Sequence, residues 1–162
     1  MSSPRPIISI RPAVSDDLPF VLSLVPRLVA FDLPPWREPG AVRASSETLL
    51  REAVTEPPAG SAVFVALFNE GVTDRIGFIH LETTPEFFTG EPQGYVANLA
   101  VAEAGEGRGI GRALMAAAEA WAKDRGMRHL ALYVFAQNSR ARAFYARLGF
   151  EEDSLKLIKP LE

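Results

Sequence analysis

The segment 104-AGEGRGIGRAL-114 constrains the fold more than any other stretch, because glycine occupies four alternate positions just before an apolar, alanine-rich run. Glycine lacks a Cβ, so such a run allows sharp turns and a close approach of the backbone to a ligand. The strand-like segment 94-GYVANLAV-101 precedes it, and the residues after it have helical apolar spacing. We therefore predict a strand, a glycine-rich turn and a helix N-terminus, which together bind anions through unpaired N–H groups and the helix dipole.

Composition limits the classes of protein that this chain can belong to. Its 162 residues, 48% hydrophobic and 23% charged, indicate one globular domain. A formal net charge of −3 argues against a nucleic-acid surface, which needs a basic face. No cysteine is present, so disulfides and thiolate metal sites are excluded, and we predict no metal site. No apolar stretch is long enough to span a bilayer, and the N-terminus lacks the apolar core of a signal peptide. We expect a soluble, cytoplasmic protein with no membrane partner.

Hydrophobic periodicity and the positions of proline and glycine predict the strands and helices of the chain. We expect the helical run after the first strand to break at Pro26, and the second helix to begin with Ser46 as its N-cap. Asn69 and Gly71 predict a hairpin turn between two β-rich runs. The predicted strands are 7–11, 62–71, 75–83, 94–101, 129–134 and 154–159; the predicted helices are 13–31, 45–55, 110–126 and 139–148.

Three phosphate-binding patterns compete for the glycine-rich segment, and two of them fail. The dinucleotide fingerprint GxGxxG fails in every register, because Ile110, Arg112 and Leu114 stand where the third glycine belongs. The Walker A pattern fails because no Lys-Ser or Lys-Thr pair follows the glycines. A plain connection that needs glycine only for its backbone angles is the competing structural interpretation.

The segments 106-EGRGIG-111 and 138-NSRARAFYARLGF-150 resemble the two acetyl-CoA-binding motifs of the GCN5-related N-acetyltransferases (GNAT). The resemblance extends over nearly the whole chain and implies a single α/β domain over 1–162. Its fold would be a mixed, mostly antiparallel sheet of six to seven strands, flanked by about four helices. The sheet would be splayed between the strands at 94–101 and 129–134. Glu106 departs from the family pattern, which has Arg or Gln at that position.

The resemblance also implies acetyl-CoA as cofactor and assigns residues to it. The backbone N–H groups of the loop would bind the pyrophosphate, and Arg108 and Arg112 would add positive charge. The alternative interpretation of both arginines is that they are solvated surface charges without a role in binding. The preceding strand would pair with the pantetheine arm, and Asn138 would bind that arm, cap its helix or do both. The implied cofactor-binding residues are Leu99, Ala100, Val101, Gly107, Arg108, Gly109, Ile110, Gly111, Arg112, Asn138 and Tyr145.

By the same resemblance Tyr145 is the general acid that protonates the departing thiolate. The general base is less clear, because Ala97 and Tyr133 occupy the positions where many relatives carry a glutamate. The remaining candidates are Glu82 and His80, which share one face of a strand, and Asn98, which could hold a relay water.

Acceptor recognition in such proteins comes from the first two helices, their linker and the following hairpin. We expect Phe31, Trp36, His80 and Glu82 to contact the acceptor, and we predict a primary amine of a small molecule. A homodimer is expected as a possible assembly. A non-catalytic module that binds acyl-CoA as a sensor is the alternative, motivated by Glu106 and the missing glutamates.

Overall fold

A computed structural model describes residues 7–68 and 74–161 of the chain. The strands are β1 (Ile8–Pro12), β2 (Ala62–Phe68), β3 (Arg75–Pro85), β4 (Pro92–Val101) and β5 (Leu130–Leu132). The helices are α1 (Leu18–Ser23), α2 (Pro39–Thr55), α3 (Ile110–Lys123) and α4 (Ser139–Arg147). Short 3₁₀ segments at Ser15–Asp17, Val25–Val29 and Glu103–Gly105 complete the described elements. The predicted turn at Asn69 and Gly71 lies outside the described residues.

The five strands form one sheet in the order β1-β2-β3-β4-β5. Neighbouring strands are antiparallel except β4 and β5, which are parallel. The β4–β5 ladder covers only Gly94–Val96 and Leu130–Leu132. On that side β4 continues to Val101 without a strand partner in the described part of the chain, while its other side stays paired with β3. The mixed, mostly antiparallel sheet and the four helices agree with the prediction, and the short ladder opens a gap where the splay was predicted.

The prediction of six to seven strands is wrong for the described residues, which contain five. The alternating segment at 154–159 forms no strand there and is exposed along its whole length. Leu155 and Leu157 are 77% and 89% exposed. Alternation alone predicts a strand only where a sheet edge is present to pair with it.

Two hydrophobic clusters cover the two faces of the sheet. On one face α3 packs on β3 and β4 through Ile110, Leu114 and Trp121, with Ile79 and Leu81 beneath them. On the other face α1 and α2 cover the sheet, with Val21, Leu50 and Phe78 among the buried residues. Because side chains alternate along a strand, the face that carries Phe78 also carries His80 and Glu82. The α1–α2 side of the sheet therefore holds the predicted base candidates.

The helix boundaries correct two predictions. The run after β1 breaks before Pro26, as predicted, and continues as a 3₁₀ segment. However, α2 begins at Pro39 rather than near Ser45, and Glu38, not Ser46, occupies its N-cap position. Proline has no N–H to satisfy and a helical φ, so it suits the first turn of a helix. Within the described ranges no helix is both long and apolar enough to cross a membrane.

A buried ion cluster joins the start of the chain to the sheet. The carboxylate of Asp17, which has no exposed surface, accepts two hydrogen bonds from Arg11 at 2.7 and 3.0 Å. It also accepts one from the Val14 N–H at 2.8 Å and one from Arg75 Nε at 2.5 Å. Burial alone would raise the pKa of Asp17, but these four donors hold it well below its ordinary value. The cluster thereby ties β1 to β3 through one carboxylate.

Candidate active site

The glycine-rich loop places a set of free donors at the N-terminus of α3. Gly107 and Gly109 have φ of 69° and 83°, which side chains disfavour, and a Cβ at either would meet only open space. Within residues 7–68 and 74–161, no acceptor pairs with the backbone N–H groups of Gly107, Gly109, Ile110, Gly111 and Arg112. A cluster of unpaired N–H groups beside open space at a helix N-terminus fits an anion such as a pyrophosphate.

The other two glycines of the loop allow close packing. A Cβ on Gly105 would lie 2.9 Å from Val101 Cγ1, and a Cβ on Gly111 would lie 3.1 Å from the Phe144 ring. Gly105 therefore seats the loop against β4, and Gly111 lets α4 approach the first turn of α3. Gly107 and Gly109 thus face open space, whereas Gly105 and Gly111 face the interior.

The charged side chains around the loop differ in where they point. The Arg108 guanidinium stacks on the Phe68 ring, 4.0 Å from its centre, and Arg112 is exposed on the first turn of α3. Glu106 pairs through Oε1 with Arg27 of the 3₁₀ segment Val25–Val29, and Oε2 lies 3.4 Å from Arg140 Nη2. The unexpected carboxylate at the start of the loop is thus paired with two arginines.

Tyr145 and Asn138 both belong to α4. The Tyr145 ring packs edge-on against Phe144 and Phe150, with ring centres 5.2 and 5.6 Å away. Burial raises the pKa of Tyr145 to about 12, so its phenol carries a proton at neutral pH. Asn138 is the N-cap of α4, and its Oδ1 accepts the Ala141 N–H at 3.1 Å. The capping alternative for Asn138 is thus present in the structure.

His80, Glu82 and Asn98 come together on the α1–α2 face of the sheet. His80 is 2% exposed, and its Nδ1 lies 3.3 Å from Asn98 Oδ1. Its Nε2 lies 3.6 Å from Glu82 Oε1, and the Glu82 side chain is 34% exposed. Burial lowers the pKa of His80, while the hydrogen bond with Asn98 and the charge of Glu82 oppose that shift. The three predicted base candidates therefore form one chain of polar groups that reaches the surface at Glu82.

Tyr95 joins this group, although the sequence analysis did not select it. It pairs with Glu82 across the β3–β4 ladder, and its ring meets the Tyr133 ring edge-on at 5.9 Å. Burial raises the pKa of Tyr95, as do the charges of Glu82 and Tyr133. Strict alternation would put Tyr95 and Asn98 on opposite faces, but a register shift in the ladder brings both to the same face. The pairing with Glu82 is the signal that the sequence alone did not contain.

The two aromatic residues predicted for the acceptor site lie in the segment between α1 and α2. Phe31 packs against Phe135, in the loop before α4, with ring centres 5.5 Å apart. Trp36 is 48% exposed.

No group of three or more histidine, aspartate or glutamate side chains that could hold a metal ion occurs in the part of the chain that the structure describes.

Comparison with known proteins assigns the family. The profile of the Acetyltransferase (GNAT) family matches residues 26–150, and the chain belongs to that family. An aminoglycoside N(6')-acetyltransferase type 1 from Stenotrophomonas maltophilia is 35% identical over 97 residues, which are 58% of this chain and 62% of that relative. A mycothiol acetyltransferase from Amycolatopsis mediterranei is 44% identical over 69 residues, 43% of this chain and 23% of that relative. The chain thus matches less than two thirds of the length of either relative.

A solved structure agrees over a greater length. An aminoglycoside N-acetyltransferase in complex with CoA superposes with a TM-score of 0.70 at 22% identity, covering 99% of each chain. At that level of identity the likeness is one of fold. The shared feature is the arrangement of the sheet and helices described above.

Proposed function

We propose that the chain is an acetyl-CoA-dependent N-acetyltransferase, working as one domain over 1–162, that acetylates a primary amine of a small molecule. The observation that carries the proposal is the set of unpaired N–H groups at the N-terminus of α3, beside the part of β4 that pairs with β3 but has no strand partner on its β5 side among the described residues. Family membership supports the chemistry.

The chain's own residues would hold the cofactor at two places. The unpaired N–H groups of the loop and the first turn of α3 would donate to the pyrophosphate, where the absence of side chains at Gly107 and Gly109 leaves room. The backbone of Leu99, Ala100 and Val101 would pair with the pantetheine arm along the open side of β4. Acetyl-CoA supplies the activated acetyl thioester.

Tyr145 would act as the general acid. Its aromatic surroundings keep the phenol protonated, and a protonated phenol can donate to a thiolate leaving group. The packing against Phe144 and Phe150 restricts the ring, so the hydroxyl has a defined position. Asn138 would orient the first turn of α4 through its cap and so support the placement of Tyr145.

Glu82 would accept the proton of the amine, because it is the exposed member of the chain Asn98–His80–Glu82. A hydrogen bond from His80 Nδ1–H to Asn98 Oδ1 leaves the Nε2 lone pair facing the Glu82 carboxylate. Two acceptors that face each other at 3.6 Å gain a hydrogen bond only when a proton arrives. His80 would therefore act behind Glu82 as a positioning residue that stabilises the added proton.

The amine acceptor would bind near Glu82, whose carboxylate attracts an ammonium group. Tyr95 and Tyr133 supply an aromatic wall next to that carboxylate, and Phe31 and Trp36 supply apolar surface from the segment between α1 and α2. The aminoglycoside acetyltransferase relative supports a small cationic amine as the class of acceptor.

The experiment is a thiol-release assay with acetyl-CoA and a panel of small amines, amino acids, aminoglycosides and peptides. We expect release that depends on an amine, and a drop in kcat of about 100-fold or more in Tyr145→Phe, with an unchanged melting temperature. Glu82→Gln should lower kcat most at low pH. The control is Glu91→Gln, a change at an exposed glutamate in the β3–β4 loop, which should leave kcat unchanged. A blank panel together with clear CoA binding would instead support the acyl-CoA sensor.

A further inference from the structure

Glu106 and its two arginines form a second ion cluster that the proposed function leaves without a role. The three residues come from distant parts of the chain: the 3₁₀ segment Val25–Val29, the glycine-rich loop and the first turn of α4. Each carboxylate oxygen faces a different guanidinium, Oε1 that of Arg27 and Oε2 that of Arg140. In the chain, Glu106 directly precedes the part of the loop that carries the unpaired N–H groups.

The charge of this cluster is not balanced within itself. Two guanidinium groups and one carboxylate leave one net positive charge, next to a helix N-terminus that also attracts anions. The Arg27 and Glu106 side chains are 34% and 33% exposed, and Arg140 is 78% exposed, so a ligand from solvent can reach all three. A guanidinium that binds a carboxylate can bind a phosphate with the same fork of N–H donors.

We propose that Arg27 and Arg140 bind the pyrophosphate of coenzyme A, and that Glu106 is a positioning residue that holds both guanidinium groups beside the loop before the phosphates arrive. The carboxylate stands in for a phosphate oxygen in the free protein. On binding, the arginines share their donors between Glu106 and the phosphates. The carboxylate at the position where the family has Arg or Gln is thus compensated by two arginines from outside the loop.

This inference rests on the proposed use of acetyl-CoA and extends it to residues on other elements. It gives Arg27, which lies between α1 and α2, a contact with the cofactor as well as with the loop. Phe31, four residues further on, already contacts Phe135 in the loop before α4. The segment that carries Arg27 thereby contacts both the glycine-rich loop before α3 and the loop before α4.

The test measures the affinity of CoA by calorimetry for the wild type, Arg27→Ala, Arg140→Ala and the double variant. Arg142→Ala is the matched control, since Arg142 lies on the same helix as Arg140 and pairs with Glu152 at 2.5 Å. We expect about tenfold weaker binding for Arg27→Ala, about threefold for the more exposed Arg140→Ala, and no change for the control. Pantetheine, which has no phosphate, should bind equally to all variants.

Two further measurements separate binding from a merely structural effect. In the double arginine variant, Glu106→Gln should recover part of the lost CoA affinity, because an unpaired carboxylate repels the phosphates. Dephospho-CoA, which keeps the pyrophosphate but lacks the 3'-phosphate, should show the same ratios of affinity among the variants as CoA. The melting temperatures of the variants are measured alongside.

The outcomes are distinct. If the wild type binds no CoA, the proposed cofactor is wrong. If the wild type binds CoA but both arginine variants match Arg142→Ala, or if pantetheine weakens in the same ratio, the inference is wrong and the proposed function stands. A loss for Arg140→Ala that disappears with dephospho-CoA would assign that arginine to the 3'-phosphate and overturn its assignment to the pyrophosphate.

Discussion

The Asp17 and Glu106 clusters have the same composition, one carboxylate and two arginines, and different surroundings. Asp17 is fully buried, and four donors, one of them a backbone N–H, occupy its oxygens. Glu106 is one third exposed and has one arginine contact on each oxygen. Most of the backbone N–H groups from Gly107 to Arg112 have no acceptor in the described part of the chain, whereas both oxygens of Asp17 already accept two hydrogen bonds each.

This difference shows how burial assigns a role to an ion cluster. A buried carboxylate whose acceptor sites are all used cannot take another ligand, and the loss of its charge leaves two partly exposed guanidinium groups without their partner. A partly exposed carboxylate with spare donors around it loses little free energy when its partners turn to a ligand. We therefore expect the Asp17 cluster to control stability and the Glu106 cluster to control binding.

The largest effect expected is on the stability of an Asp17 variant. Asp17→Asn should lower the free energy of unfolding by about 2 to 4 kcal/mol, because the hydrogen bonds from Arg11 and Arg75 lose their charged acceptor while both arginines keep part of their hydration. Glu152→Gln, which removes the exposed partner of Arg142, should cost less than about 1 kcal/mol. Urea unfolding at pH 7 measures both, and equal losses in the two variants would remove the distinction between the clusters.

The wild type and Asp17→Asn should differ in how their stability responds to acid. The pKa of Asp17 is lower in the folded than in the unfolded protein, so its contribution is complete above the unfolded value of about 4 and is lost as the pH falls towards the folded value. The stability difference between wild type and Asp17→Asn should be constant from pH 7 to about 5. Below about pH 4 it should shrink by up to about 1.4 kcal/mol per pH unit. Urea unfolding at several pH values checks this, and a constant difference down to pH 2 would contradict it.

Packing rather than charge should anchor the loop that carries Glu106. Gly105→Ala should cost about 1 to 3 kcal/mol, because the added Cβ would lie 2.9 Å from Val101 Cγ1 and 3.3 Å from the Ile76 carbonyl oxygen. The control is Gly40→Ala in α2, where a Cβ meets nothing within 4 Å. Alanine there should stabilise the helix by up to about 1 kcal/mol. Thermal unfolding separates the two, and a neutral Gly105→Ala would show that the loop shifts freely.

Local patterns in the sequence predicted much of this architecture. The glycine-rich loop, the helix that follows it and the break before Pro26 all depend on backbone preferences of neighbouring residues, and all are present. The start of α2 was predicted too late, with Ser46 as its N-cap, although Pro39 is well suited to a first helical turn. The helical run thus breaks before Pro26, as expected, whereas the start of a helix at Pro39 was not predicted.

The candidate site depends more on contacts between distant residues, which sequence patterns do not specify. Glu106 was recognised as a departure from the family, but its partners Arg27 and Arg140 became evident only from the folded arrangement. Tyr95 was missed because a register shift in the β3–β4 ladder is invisible to a two-residue period. In contrast, His80, Glu82 and Asn98 were grouped from strand alternation, and the structure brings the three together.

The smallest expected effect is the most direct test of the comparison. Glu106→Gln should change the free energy of unfolding by less than about 1 kcal/mol, since a pair that is one third exposed gains little over its solvated ions. The same substitution in the double variant Arg27→Ala and Arg140→Ala should be as small, because no partner remains to be lost. Urea unfolding at 0.05 and 0.5 M salt measures these changes, and screening should reduce the first one further. A loss comparable to that of Asp17→Asn would mean that the Glu106 cluster also holds the fold together, and burial would then not separate the two.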